Sequence, residues 1–216
     1  HTADIYRSDD LPTDRYMAVE GANGLIAAVA DAHSLEQAGA RILAPLADGR
    51  LGTAQSPWTG PVCLDGNLTT DLLRDIAASP LFAAASLHVA PASPGKAERL
   101  LALMGHPSAV LYVNREEAGL ICRESFPDAA AAARGMTARG ARRVLVTDGG
   151  AMAAEALGDD VIATTPQQVL VARVTGAGDT FMAAHIVALL RGAERPAALD
   201  AAVKAAATYV SGEQPA

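Results

Sequence analysis

Val174-Thr175-Gly176-Ala177-Gly178-Asp179 puts small residues and a carboxylate directly before an apolar run of helical spacing, Phe181, Met182, Ile186, Leu189 and Leu190. Small residues let backbone N–H groups face an anion without side-chain obstruction. A helix N-terminus adds roughly half a positive charge there, which suits a phosphate. Charge developing on a transferring phosphoryl group would be met at such a turn. The Asp179 carboxylate in the first turn can take the proton of an attacking hydroxyl. Taken alone, the same residues read equally well as a strand-to-helix turn with Asp179 as a cap. The pattern is neither a Walker loop nor the Rossmann fingerprint.

Other polar positions fall where strands should end. Asp65 and Asn67 follow the run Val62-Cys63-Leu64. Asn114 follows Ala109-Val110-Leu111-Tyr112-Val113, with Glu117 three residues on. Asn followed by Glu at that spacing is also a capping-box pattern. Thr147-Asp148-Gly149 follows Val144-Leu145-Val146, where an ordinary turn is the plainer reading. Ser93-Pro94 reads as a helix start with Lys96 in its first turn. His33, His88, His106 and His185 have no spacing that suggests a metal or a triad, and are read as structural or surface residues. Cys63 reads as core and Trp58 as a packing anchor in a loop.

The elements that must position these residues alternate from residue 61 onward. Strands are expected at 62–65, 86–89, 109–113 and 144–147. Helices are expected at 69–78, 93–104, from 114, at 128–140, 179–191 and 196–210. A hairpin is expected over 152–164, and a β-type run at Val169-Leu170-Val171 leads into the Gly-rich turn. Alternating strands and helices indicate an α/β fold with a mostly parallel sheet covered on both faces. Ligands bind such sheets at the carboxyl ends of the strands. Before this core, residues 15–20 and 25–30 read as strands joined at Gly21-Ala22-Asn23-Gly24, a hairpin signal.

The chain has 216 residues, half of them apolar, which allows one large domain or a domain with an appendage. A net charge of −7, a pI of about 5.1 and only 4% aromatic residues argue against a nucleic-acid surface. No run approaches the roughly 20 apolar residues of a membrane span, and no signal peptide is visible at the start. The two cysteines, Cys63 and Cys122, have no metal or framework spacing, so a reduced cytoplasmic setting is expected.

Val174-Thr-Gly-Ala-Gly-Asp-Thr-Phe-Met-Ala-Ala184 closely resembles the C-terminal signature of the PfkB, or ribokinase, family of carbohydrate and nucleoside kinases. Asn114-Arg115-Glu116-Glu117 resembles its Asn-x-x-Glu motif, Thr147-Asp148-Gly149 its Thr-x-Gly, and Asp65-x-Asn67 its Asp-x-Asn near the acceptor. Pro91-x-Ser93-x-x-Lys96-Ala97 resembles a segment of its nucleoside-kinase-like members. The resemblance runs over residues 15–210 and implies a ribokinase-like doubly wound α/β fold with a small β lid hairpin. On that reading 1–34 is a partial lid region and 35–216 the nucleotide-binding core.

The resemblance also implies roles. Asp179 would be the catalytic base, and Gly176, Ala177 and Gly178 the anion hole. Asn114, Glu117, Thr147, Gly149 and Thr175 would bind ATP, with Glu117 helping indirectly to place Mg2+. Asp65 and Asn67 would bind the acceptor. Within the family the chain is most similar to pseudouridine kinases, which implies transfer to the 5′-hydroxyl of pseudouridine. A sugar kinase acting on ribose, fructose or a sugar phosphate, and a nucleotide-binding regulatory protein without kinase activity, are the alternatives. A homodimer through the lid strands is a further expectation. The family's Gly-Gly-x-x-x-Asn acceptor motif is absent from the sequence, so part of the acceptor pocket is expected to be missing. Arg173 stands where many members carry Asp or Asn near a monovalent cation. Arginine has no acceptor to offer a cation, so potassium activation by that route is not expected.

Overall fold

The computed structural model describes residues 2–21 and 24–212. It divides into two compact units, His1–Met17 with Val29–Leu111 and Ala18–Ala28 with Tyr112–Ala216. Strands β1 (Tyr16–Gly21) and β2 (Gly24–Ala30) form a two-stranded sheet of their own. The turn expected between them lies partly outside the described residues. The remaining strands belong to a mixed six-stranded sheet.

In the first unit, α1 (His33–Ala38) begins under Asp14, whose carboxylate accepts the N–H groups of Ser34 and Leu35, each at 2.9 Å. Strands β3 (Pro61–Asp65), β4 (Ser86–Ala90) and β5 (Ala109–Asn114) run parallel, with Val62 opposite Leu87 and His88 opposite Val110. The crossover helix α2 (Thr70–Ala78) is capped by Thr69, whose hydroxyl accepts the Leu72 N–H at 3.2 Å. Leu72, Leu73 and Ile76 recur at helical spacing and are buried. Each such side chain contributes about 1.5–3 kcal/mol by leaving water.

The helix expected at 93–104 is present at Pro94–Leu103 and is of the 3-10 type. Its buried residues Ala97, Leu100 and Leu103 are spaced by threes, the period of a 3-10 helix. Ser93 makes no side-chain cap, and the Lys96 N–H bonds the Ser93 carbonyl three residues back, at 3.0 Å. Cys63, expected in the core, is exposed on β3, which ends the sheet order.

In the second unit, α3 (Arg115–Cys122) and α4 (Ala129–Ala138) precede β6 (Arg143–Asp148), β7 (Met152–Leu157) and β8 (Asp160–Thr164). Asp128 caps α4 by accepting the Ala131 N–H at 2.7 Å. β6, β7 and β8 are antiparallel, with Leu145 opposite Glu155 and Ala154 opposite Ala163, so the expected hairpin is present and makes the sheet mixed. The β-type run Val169-Leu170-Val171 is not a strand, and Leu170 is 90% exposed. Pro166, just before it, has no N–H to give a ladder. The chain ends in α5 (Ala177–Leu190) and α6 (Arg195–Ser211), which pack together. Phe181, Met182 and Ile186 of α5 are buried, as are Ala198, Leu199 and Ala202 of α6. Among the described residues, no helix is long and apolar enough to cross a membrane.

Candidate active site

The Gly-rich turn lies in the second unit. Gly176 precedes α5 with φ 93° and ψ −3°. An L-residue pays about 1–2 kcal/mol in the left-handed region, so glycine is required here. The Gly176 carbonyl accepts both the N–H and the hydroxyl of Thr180, at 2.9 and 2.8 Å. The Ala177 N–H donates to the Val174 carbonyl at 3.0 Å, closing the turn. The helix starts at Ala177, earlier than the sequence suggests, so Ala177, Gly178 and Asp179 form its first turn. N–H groups of a first turn have no acceptor four residues back within the helix. No side chain caps this N-terminus. The side where a Gly178 Cβ would point is open, and Asp179 is exposed.

Sequence reasoning missed the residues that brace the turn. The Tyr209 hydroxyl donates to the Thr175 carbonyl at 2.7 Å, and the Arg173 Nε donates to the Tyr209 carbonyl at 2.8 Å. The Arg173 guanidinium stacks 3.9 Å over the Tyr209 ring. Nothing in the Ala-rich sequence of α6 signals this; Arg173 drew notice only as a departure from the family.

Asn114 and Glu117 form a complete capping box on α3. The Asn114 Oδ1 accepts the Glu117 N–H, and the Glu117 carboxylate accepts the Asn114 N–H, both at 2.8 Å. Glu117 is 7% exposed, and burial pushes its carboxyl above the usual range, with the Asn114 N–H pulling the other way. Arg115 Nε lies 2.9 Å from the Asp148 carboxylate, though off-line for a hydrogen bond. That ion pair joins the start of α3 to the Thr147-Asp148-Gly149 stretch, whose Gly149 turns with φ 54°. The Gln168 Nε2 donates to the Gly150 carbonyl at 2.9 Å, tying the segment before the Gly-rich turn to the loop after β6. A cavity of about 670 Å3 opens between residues 164–170 and one face of α6, lined by Thr164, Gln168, Leu170, Lys204 and Thr208 among others. Its size is that of a small-molecule site.

A buried charge cluster fixes both final helices on β7. Glu155 is fully buried, and its Oε1 accepts Arg143 Nε at 2.7 Å and Arg195 Nε at 3.0 Å. His185 of α5, also fully buried, has its Nδ1 2.8 Å from the Tyr112 hydroxyl and its Nε2 3.8 Å from Glu155 Oε2.

In the first unit, Asp65 and Asn67 are joined at the end of β3. Asp65 Oδ1 accepts the Asn67 N–H at 2.9 Å and Oδ2 accepts its Nδ2 at 2.8 Å. Lys96 Nζ donates to Asn67 Oδ1 at 2.5 Å, so the Pro91-to-Lys96 segment meets the Asp-x-Asn segment. Gly66 permits this approach, since a Cβ there would lie 2.2 Å from the Pro91 carbonyl oxygen. Ala92 sits at φ 66°, a left-handed value rare for alanine.

The profile of the pfkB family carbohydrate kinases matches residues 62–216. The chain belongs to that family. A carbohydrate kinase from Agrobacterium tumefaciens is similar in structure, with a TM-score of 0.70 and 24% identity over 92% of this chain and 62% of that one. A putative sugar kinase from Clostridium perfringens gives a TM-score of 0.73 and 19% identity over 98% of this chain and 66% of that one. A ribokinase from Thermotoga maritima gives 0.69 and 18% over 93% and 64%. The fold is therefore ribokinase-like, and the chain spans less than two thirds of the length of these relatives. No curated protein sequence matches it.

Proposed function

We propose that this chain is the phosphate-handling part of an ATP-dependent kinase that phosphorylates a hydroxyl of a nucleoside or sugar. The observation that carries this reading is the uncapped N-terminus of α5, with the open Gly178 and the exposed Asp179 in its first turn. Backbone N–H groups of Gly176 and Gly178 hold the charge of the transferred phosphate, while that of Ala177, the third member of the expected anion hole, closes the turn onto the Val174 carbonyl. Asp179 takes the proton of the acceptor hydroxyl. ATP with Mg2+ supplies the γ-phosphoryl group.

The residues present suit such a ligand. Mg2+ in kinases keeps waters and is held by one or two carboxylates plus phosphates. A dedicated cage is not needed, and among the described residues no cluster of metal-binding side chains occurs. Glu117, with one oxygen committed to the α3 cap, would act on the ion indirectly. Asn114, Thr147, Gly149 and Thr175 would line the nucleotide, and the 670 Å3 cavity would take its base. Asp65 and Asn67 would face the acceptor.

Pseudouridine is the acceptor we favour, because Val174-Thr-Gly-Ala-Gly-Asp179, Asn114-Arg-Glu-Glu-Ala118 and Asn23-Gly-Leu-Ile-Ala-Ala-Val-Ala-Asp31 together resemble pseudouridine kinases. A sugar acceptor fits as well, since the structural relatives include sugar kinases. We read the β1–β2 hairpin as a lid that pairs with a second copy of the chain. Met17, Ile26 and Val29 on it are 68%, 72% and 69% exposed. The exposed free thiol of Cys63 suits a reducing, cytoplasmic setting.

Phosphotransfer assayed against a panel of nucleosides and sugars tests the reading. Asp179→Asn should lower turnover by about 10²–10⁴-fold, the usual weight of a general base. Near-normal turnover in that variant would remove Asp179 from its role. Nucleotide binding without transfer to any acceptor would favour the regulatory alternative.

A further inference from the structure

We propose that Tyr209, held by Arg173, is a positioning residue that sets the direction of the peptide N–H groups in the Gly-rich turn. The inference rests on the phosphoryl-transfer reading above. Residues 165–176 belong to no strand, so sheet hydrogen bonds do not fix the approach to the turn. The last turns of α6 fix it instead. The Val210 carbonyl accepts the N–H groups of Ala172 and Arg173, at 2.8 and 3.2 Å. Arg173 returns a bond to the Tyr209 carbonyl and covers the Tyr209 ring. The ring is thereby oriented, and its hydroxyl reaches the Thr175 carbonyl at 2.7 Å.

That carbonyl shares one planar peptide unit with the Gly176 N–H. Pulling the Thr175 oxygen toward Tyr209 points the Gly176 N–H the opposite way. The hydroxyl also occupies the space beside Gly176, where a Cβ would lie 2.5 Å from it. Glycine and tyrosine thus specify the peptide orientation together. A dipole fixed before the reaction needs no reorganisation when charge develops on the transferred group. Tyr209 touches neither phosphate nor acceptor in this scheme, and acts through the peptide it holds.

Tyr209→Phe removes the hydroxyl and keeps the ring under Arg173. The expected result is a fall in kcat of roughly tenfold, the rate equivalent of one hydrogen bond. KM for ATP should change by less than about threefold, because the nucleotide's other contacts remain. Amide hydrogen exchange on the unliganded protein should speed up at Ala177 and Thr180, whose N–H groups close the turn on Val174 and Gly176, and stay unchanged in the rest of α5. Arg173→Met, which frees the ring, should give the same exchange pattern. Wild-type exchange at Ala177 and Thr180 in both variants overturns the proposal. So does a loss of kcat matched by an equal rise in KM and a general loss of protection. If the wild-type protein transfers phosphate to no acceptor, that failure belongs to the functional reading, and the exchange measurement decides the clasp without turnover.

Discussion

Replacing Glu155 with Gln removes one buried negative charge and keeps the side chain's shape. The carboxylate is fully buried, while the Arg143 and Arg195 side chains it binds are 19% and 21% exposed. Losing one partner of a fully buried pair costs about 3–5 kcal/mol, because the other charge is stranded. Here solvent reaches part of each guanidinium, and Arg195 keeps its bond to Asp160. The expected loss is therefore about 2–4 kcal/mol, a lowering of the melting midpoint by roughly 5–15 °C for a chain this long. Urea unfolding followed by circular dichroism measures it.

The pH dependence supplies the sign. Burial pushes the Glu155 carboxyl up, but His185, Arg143 and Arg195 together pull it down by more, so its folded pKa lies below the usual value. Such a group stabilises the fold above its unfolded pKa of about 4.3 and loses that contribution as pH falls through the folded value. The gap between wild type and Glu155→Gln should be full at neutral pH and close on acidification below about pH 4. A gap under about 1 kcal/mol at neutral pH, or one that widens in acid, would refute the account.

Glu117→Gln separates the cap from the charge. The amide can still accept the Asn114 N–H, and the raised folded pKa of Glu117 means its ionised form costs stability at neutral pH. The melting midpoint should hold or rise at neutral pH, with any gain vanishing below about pH 4, while phosphotransfer at limiting Mg2+ should fall by more than about tenfold. Gly66→Ala should destabilise the first unit by at least about 2 kcal/mol, because the new methyl meets backbone rather than a flexible side chain; thermal unfolding monitors it. With Arg173 committed to Tyr209, phosphotransfer rates should agree within about twofold in potassium and choline buffers at equal ionic strength, the screening of charge being matched.

Local signals made much of the fold legible. The helices expected from 69, 114 and 128 begin there in the structure, each capped by the short polar side chain at that position, Thr69, Asn114 or Asp128. The 152–164 hairpin turns at Gly158-Asp159, a residue pair suited to a tight turn, with Gly158 at φ 57°. What failed depended on tertiary context. Val169-Leu170-Val171 has strand composition, but a strand needs a partner, and composition does not say whether one is free. Cys63 is apolar in character and lies in a strand, yet its strand is at an edge. At the candidate site, the geometry of the Gly-rich turn and the Asn114–Glu117 capping box is legible because both are made between neighbours in sequence. Tyr209 acts on Thr175 from 34 positions away, and Glu155 gathers partners from β6, α5 and α6.

The helix with the plainest sequence has the most to do. α6 packs with α5, and its Ala198 and Ala202 are fully buried. Its first residue, Arg195, anchors it to Glu155. Asp200, Val203, Lys204, Ala207, Thr208 and Ser211 recur at three- and four-residue spacing, so they share one face, and that face lines the cavity. Its last turn carries Tyr209 to the Gly-rich turn. One wall of the cavity and the Gly-rich turn are therefore both held by one helix, bonded at its start to Glu155. Any shift of α6 would move that wall of the cavity and the Thr175–Gly176 peptide together, and the buried Glu155 holds the Arg195 end of the helix against it.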